Sequence, residues 1–321
     1  MNNDRLKIVQ QASGKNGSYR SEHSFDRKEI ARAKFERLWL TDPEQFNPER
    51  NSLEKSRIDR TWELIDKYID VKEKKCVDLG TGYGTIAKQL LSKNANVEVV
   101  DIASIPLKQF EGKVKTWQEY IPLTKLPDDN YDLVLALDLI GYIPQKEHRL
   151  FISELTRLVK LEGEIVCSTS FDINTEDPLQ NFAQLAETEL MISHWVFSYH
   201  RLFIRIHHLL SIPSFYWNIS KNRELRLEEL KKRKGFSKSW LSFQSTKLVS
   251  FIWVGLAVLI SPLKKYFEQN KTVLRFLEKI CKAIWDDNGI THAIFLAKKR
   301  PLVFSEEEVT IERKGKKQVW E

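Results

Sequence analysis

Cys76-Val77-Asp78-Leu79-Gly80-Thr81-Gly82-Tyr83-Gly84 is the stretch on which the reading of the whole chain turns. It follows Lys74-Lys75 and opens with apolar residues at Cys76, Val77 and Leu79, the mark of a buried strand. Thr85 to Leu91 then reads as a helix with Ile86, Leu90 and Leu91 on its apolar face. A second strand, Val97-Glu98-Val99-Val100, ends in Asp101. Strand, glycine turn, helix, strand and acid in this order are the layout of a nucleotide-type site on a doubly wound sheet. Glycines let the backbone turn tightly and approach a ligand. The helix start offers free N–H groups, and an acid about 20 residues beyond the first glycine reaches two ribose hydroxyls.

The spacing separates the candidate ligands. A dinucleotide fingerprint is G-x-G-x-x-G, with its third glycine against a pyrophosphate. Here the glycines are Gly80, Gly82 and Gly84, and Thr stands at position 85. Asp78 lies inside the strand ahead of them, where an acid suits a ligand with a cationic amino-acid end.

This D-x-G-x-G-x-G pattern resembles motif I of the class I S-adenosylmethionine (SAM)-dependent methyltransferases, in their small-molecule and lipid-modifying type 11/12 branch. Two further runs support the resemblance. Leu126-Pro127-Asp128-Asp129-Asn130-Tyr131-Asp132 is similar to the family's entry to its fourth strand. The helix from His148 to Leu161, the Glu162-Gly163 turn and the strand Glu164–Thr169 follow in the family's order. Together the matches span about residues 55–171. The resemblance implies an α/β fold with a doubly wound, Rossmann-like, seven-stranded and mostly parallel sheet. It implies SAM as cofactor, held by Asp78, Leu79, Gly80, Thr81, Gly82, Tyr83 and Gly84. It further implies Asp101 on the ribose, Ile102 and Gln118 beside the adenine, and Asp138 at the end of the fourth strand. Two positions depart from the pattern. Where the family places an adenine-binding Asp, the chain has Trp117-Gln118-Glu119. Where many members carry Glu-His, it has Gly141-Tyr142.

Composition narrows the partners. The chain has 321 residues, 42% of them hydrophobic, and a net charge of +7, which favours a polyanionic or membrane-surface neighbour. Three cysteines without paired spacing read as reduced, buried thiols of a cytoplasmic protein, and no metal site is expected. Met1 to Arg20 is polar and lacks the apolar core of a signal peptide. The N/D-P-P-Y/F run of base-methylating enzymes is absent, which disfavours N6-adenine or similar amino-group methylation.

The expected organisation has five parts. Residues 1–24 form a flexible arm. Residues 25–171 form the SAM-binding core, led by helices at Phe25–Leu40 and up to Asp70 and partly folded over the ligand. Residues 172–234 form a helical lid, with one long helix from Pro178 to Leu210 and a break at Pro213. Residues 235–299 supply the last two strands, at Gly235–Phe243 and Gly289–Lys299, separated by an insertion over about 246–285. Residues 300–321 are a charged tail with a possible hairpin at Val309–Trp320.

Within the insertion, Leu248–Leu263 carries no charge. As a helix it would be about 24 Å long, short for a bilayer core of about 30 Å. A single crossing would also strand the last strand across the membrane. The stretch is therefore expected either to pack in the protein or to lie in a membrane interface at 246–285. The function these features imply is methyl transfer to a small, hydrophobic or membrane-held acceptor, in the cytoplasm or at the inner membrane face. Tyr142, His194 and His200 are the candidate catalytic groups. An RNA methyltransferase and a non-catalytic SAM-binding protein are the alternatives.

Overall fold

The computed structural model describes residues 17–172 and 178–300. Seven strands form one sheet: β1 (Lys75–Leu79), β2 (Asn96–Asp101), β3 (Lys115–Gln118), β4 (Tyr131–Ala136), β5 (Val159–Ser170), β6 (Leu190–Ser198) and β7 (His292–Lys299). Their order is β3-β2-β1-β4-β5-β7-β6. β3 to β5 pair in parallel across the sheet, and β7 runs antiparallel to both β5 and β6. The doubly wound, mostly parallel α/β expectation holds.

Period-2 alternation assigns the strand residues to two layers. Val77, Leu79, Val134, Ala136, Ile165, Cys167, Phe295 and Ala297 face α5 (His148–Leu158) and α6 (Pro178–Glu187). Cys76, Val97, Val99, Leu133, Leu135, Val166, Ile294 and Leu296 face α2 (Ser52–Tyr68), α3 (Thr85–Ser92) and α4 (Ser104–Lys108). Glu98 is the one acid in the middle of β2, and its carboxylate accepts hydrogen bonds from Trp117 Nε1 at 2.7 Å and Tyr131 OH at 2.9 Å. All three cysteines are buried and free.

The second half of the chain departs from expectation in two places. The single helix expected from Pro178 to Leu210 is helix α6, strand β6 and then α7 (Arg201–Lys221). The run Met191 to Phe197 is β-branched and aromatic, and its rings pack on β7, with Trp195 5.4 Å from Phe295. The lid region 172–234 is thus not wholly helical, and it contains the sixth strand. Pro213 lies inside a continuous α7 and does not break it.

Conversely, the sixth strand expected at Gly235–Phe243 is a helix, α9 (Gly235–Gln244). β6 and β5 already occupy both edges of β7, so no partner remains there, and Phe236, Trp240 and Phe243 recur at helical spacing. At the N-terminus, α1 runs Gly17–Thr41, so helix replaces part of the expected flexible arm. Residues 1–16 and the tail hairpin lie outside the described residues.

Helices α7, α8 (Arg223–Lys232), α9, α10 (Lys247–Gln269) and α11 (Lys271–Trp285) form the excursion between β6 and β7. α7 and α10 lie antiparallel. Phe203 stacks on Phe267 at 4.5 Å at one end, and Tyr216 on Trp253 at 4.8 Å at the other. Leu53 of α2 joins Phe203, Phe267, Leu274 and Leu277 in one buried cluster. Arg60 ties the excursion to the sheet. It donates to the Phe197 carbonyl at 2.7 Å and to Glu278 at 2.6 Å.

Gly84 sets the start of α3. Its φ is +65°, and a Cβ there would lie 2.3 Å from the buried Phe110 ring. Left-handed backbone costs an ordinary residue about 1–3 kcal/mol, and overpacking adds about as much again. Gly84→Ala is therefore expected to destabilise the fold by about 2–4 kcal/mol. A urea unfolding curve with an unshifted midpoint would refute this.

Candidate functional site

The strand order reverses between β1 and β4, and there the carboxyl ends of the strands open a crevice. β1 leads into the glycine turn, with Gly80 at φ +72° and its Cβ position 2.9 Å from Leu139. The turn is stitched to β2, since the Gly80 and Thr81 N–H groups donate to the Val100 carbonyl at 2.8 and 3.0 Å. A cavity of about 150 Å³ lies against it. Of the residues expected to bind cofactor, Asp78, Gly80, Thr81, Tyr83, Gly84 and Asp138 line that cavity.

Asp78 is 4% exposed, and its one recorded hydrogen bond is from the Thr81 hydroxyl at 2.8 Å. Burial pushes its carboxyl up to about 6; the Thr81 bond works against that, and the charge of Asp101 adds to it. Asp101 accepts from the Gly82 N–H at 3.2 Å and the Ala103 N–H at 2.9 Å. Burial lifts it to about 6 as well, against those backbone bonds and with help from Glu36. Two buried carboxylates without a cation are costly, so the site suits a ligand that brings positive charge and hydroxyls.

Arg57 of α2 lines the same cavity as Asp78. Its Nη1 donates to Glu54 at 3.1 Å, while its Nε is buried without a partner. An acid and an arginine on one cavity match the ammonium and carboxylate of a free amino-acid end. Sequence reading had included Arg57 only in a covering segment. Its separation of 21 residues from Asp78 carries no motif, and the packing of α2 brings them together.

Asp138 follows β4 in a left-handed conformation, φ +50°. Its N–H donates to Ser168, and its carboxylate accepts from Ser170 Oγ at 3.0 Å and lies 3.2 Å from Nε2 of the buried His292. Burial alone would raise this acid, but the charge and hydrogen bond of His292, with Arg57 and Ser170, hold it well below the usual carboxylate range. His292 is on β7, far along the chain, and was not singled out by the sequence.

The side expected to face the adenine lies under α1. Gln118 Nε2 donates to the Ile102 carbonyl at 3.1 Å and approaches Glu36 Oε1 at 3.3 Å. Glu36 also takes the Ser104 N–H at 2.6 Å. Trp39 stands 5.3 Å from Tyr83 and stacks on Phe46 at 4.8 Å. The covering segment therefore includes α1 as well as α2. Leu79 is fully buried beneath the turn as core.

The three expected catalytic groups do not converge. Tyr142 is 56% exposed and packs edge-on to Phe35 at 5.5 Å. Burial of its hydroxyl, then the charge of Asp138, raise its pKa, which keeps it a phenol. His194 sits on the edge strand with its ring 3.9 Å from Tyr68, and it lines neither this cavity nor its neighbour. His200 is fully buried with no hydrogen bond to either ring nitrogen. Burial first, then Arg60 and Arg57, hold it neutral. It too touches neither cavity, so no substrate reaches it there.

Residues 77–167 match the family model described as a methyltransferase domain. Over those residues the chain carries a methyltransferase domain. A ubiquinone biosynthesis O-methyltransferase of Saccharophagus degradans is 31% identical over 162 residues, 46% of this chain and 64% of that protein. The enzyme of the same description from Pseudomonas putida is 28% identical over 155 residues, 45% of this chain. The chain spans about 63% of that relative's length. N-methyltransferase NodS from Bradyrhizobium japonicum, solved with S-adenosyl-L-homocysteine (SAH), is 13% identical with a TM-score of 0.44, over 52% of this chain and 89% of that one.

The carboxyls of Asp78 and Asp101 must lose their protons before they can pair with cofactor, and both titrate near pH 6. Affinity for SAH is expected to rise with pH through about 6, by up to about tenfold per unit for each group, and to level off above. Calorimetric titrations from about pH 5 to about pH 8 that give a flat profile would refute the assignment.

Proposed function

We propose that this chain is a SAM-dependent methyltransferase that acts on a small hydrophobic acceptor at the cytoplasmic face of a membrane. The observation that carries the reading is the glycine turn between two buried acids, Asp78 and Asp101, inside a matched methyltransferase domain. Asp78 and Arg57 would take the two charges of the cofactor's amino-acid end, Asp101 the ribose hydroxyls, and the Gly80–Gly84 backbone the space between. Bound there, SAM supplies a methyl group already activated by a cationic sulfur. The chain's share is then alignment and exclusion of water, worth several kcal/mol. α1 and Trp39 cover the outer side for that purpose. The likeness to enzymes described as O-methyltransferases supports a hydroxyl acceptor.

The membrane part of the reading rests on α10. The 22 residues Leu248–Gln269 are long and apolar enough to cross a bilayer by length and composition, and only 6% of their apolar window is buried. Leu248, Phe251, Ile252, Leu259, Leu263 and Tyr266 form one exposed stripe at helical spacing. Phe236, Trp240 and Phe243 of α9 are exposed as well. A single crossing is disfavoured, because β7 returns to the same sheet that β6 left. α10 would therefore lie flat, with its stripe in the interface. Exposed Lys231, Lys234, Lys238 and Lys265 favour an anionic leaflet, at about 1 kcal/mol each.

Asp101→Ala is expected to weaken SAH binding by about 1.5–3 kcal/mol; unchanged affinity would sink the cofactor assignment. Serine at Phe251, Ile252 and Leu259 together should release the protein from phosphatidylserine vesicles in a flotation assay. Equal flotation of wild type and variant, or none by either, would remove the membrane reading and leave the cofactor site standing.

A further inference from the structure

A second cavity, about 220 Å³, lies between α2, α7 and α10. It shares Glu54 and Arg57 with the cofactor cavity, so the two cavities adjoin at these side chains. Its apolar walls are Leu53, Phe203 and Ile204. Its volume is below the roughly 300–1,000 Å³ of sites for drug-sized ligands. It therefore suits one ring-sized head, and a longer apolar body would extend along the helices outside.

The polar groups in this cavity are already sorted. Glu54 is held between two arginines, 2.8 Å from Arg50 Nη2 and 3.1 Å from Arg57 Nη1. So clamped, both of its oxygens already accept from arginines. His207 is different. Its Nε2 is 2.7 Å from Glu268 Oε1, and Lys264 stands 3.6 Å from the same carboxylate oxygen. A carboxylate at that distance holds the proton on Nε2 and leaves Nδ1 as the basic nitrogen. A base oriented by a third group is the arrangement that activates a hydroxyl.

We infer that this cavity binds the hydroxyl-bearing head of the methyl acceptor, and that His207, oriented by Glu268, takes the hydroxyl proton. The inference rests on the methyltransferase reading. As the acceptor oxygen bonds to the methyl carbon, the methyl–sulfur bond breaks and its electron pair stays on sulfur. The hydroxyl proton passes to Nδ1 of His207, and Nε2–H remains donated to Glu268. Glu268 is a positioning residue and does not meet the acceptor's proton. Arg50, on the same cavity, supplies positive charge as the acceptor oxygen loses its proton.

The test uses 4-nitrophenol, whose phenolate absorbs visibly, at the pH where the free probe is half ionised and with SAH saturating. Wild type should bind the probe saturably and raise its phenolate fraction. His207→Asn should lose that excess phenolate with SAH affinity unchanged, and Glu268→Gln should reduce it. Ile204→Trp, which fills the cavity from its apolar wall, should abolish probe binding and leave SAH binding intact. An unchanged phenolate excess in His207→Asn overturns the proposal. So does wild type that binds SAH but not the probe. Wild type that fails to bind SAH overturns the methyltransferase reading and this inference with it.

Discussion

The placement of β7 between β5 and β6 governs the second half of this protein. Its eight residues pair antiparallel on both sides, and five of them are buried apolar positions from Ala293 to Ala297. Once β7 must return to the sheet, the five helices between β6 and β7 form a closed excursion. That closure argues against a single crossing by α10, which is long and apolar enough for one by length and composition. It also carries His292 to Asp138, 154 residues away in sequence.

The cofactor cavity depends on the same packing from its other side. Asp78 lines it from β1, with Asp101 on the paired strand β2, but Arg57 comes from α2 and Asp138 is held by β7. Burial raises both Asp78 and Asp101, whereas Asp138 is lowered because a histidine and an arginine surround it. Three acids at the ends of adjacent strands thus differ in proton affinity through burial and their neighbours, which separates two acids suited to a cationic ligand from one held by a histidine and an arginine.

α2 connects the two cavities physically. Its N-terminal half carries Leu53 into the helical cluster, Glu54 and Arg57 to both cavities, and Arg60 onto Glu278 of α11. A displacement of this one helix would alter cofactor and acceptor sides together. The apolar stripe of α10 lies on the outside of the same bundle, so an acceptor held in a bilayer would meet the protein on the helices that wall its pocket.

The sequence alone carried the early sheet, because a short-range physical signal exists for each part: apolar alternation for strands, left-handed glycines for the turn, an acid where β2 ends. Gly84 at φ +65° against Phe110 illustrates how local that signal is. β6 and α9 were legible only in tertiary structure. Met191 to Phe197 and Gly235 to Phe243 are both aromatic-rich, and the choice between strand and helix was made by which one found the open edge of β7. The pairs Asp78 with Arg57, Asp138 with His292 and His207 with Glu268 were invisible for the same reason. Their members lie 21 to 154 residues apart, and only the packing of α2, α7 and α10 and the return of β7 bring them into range.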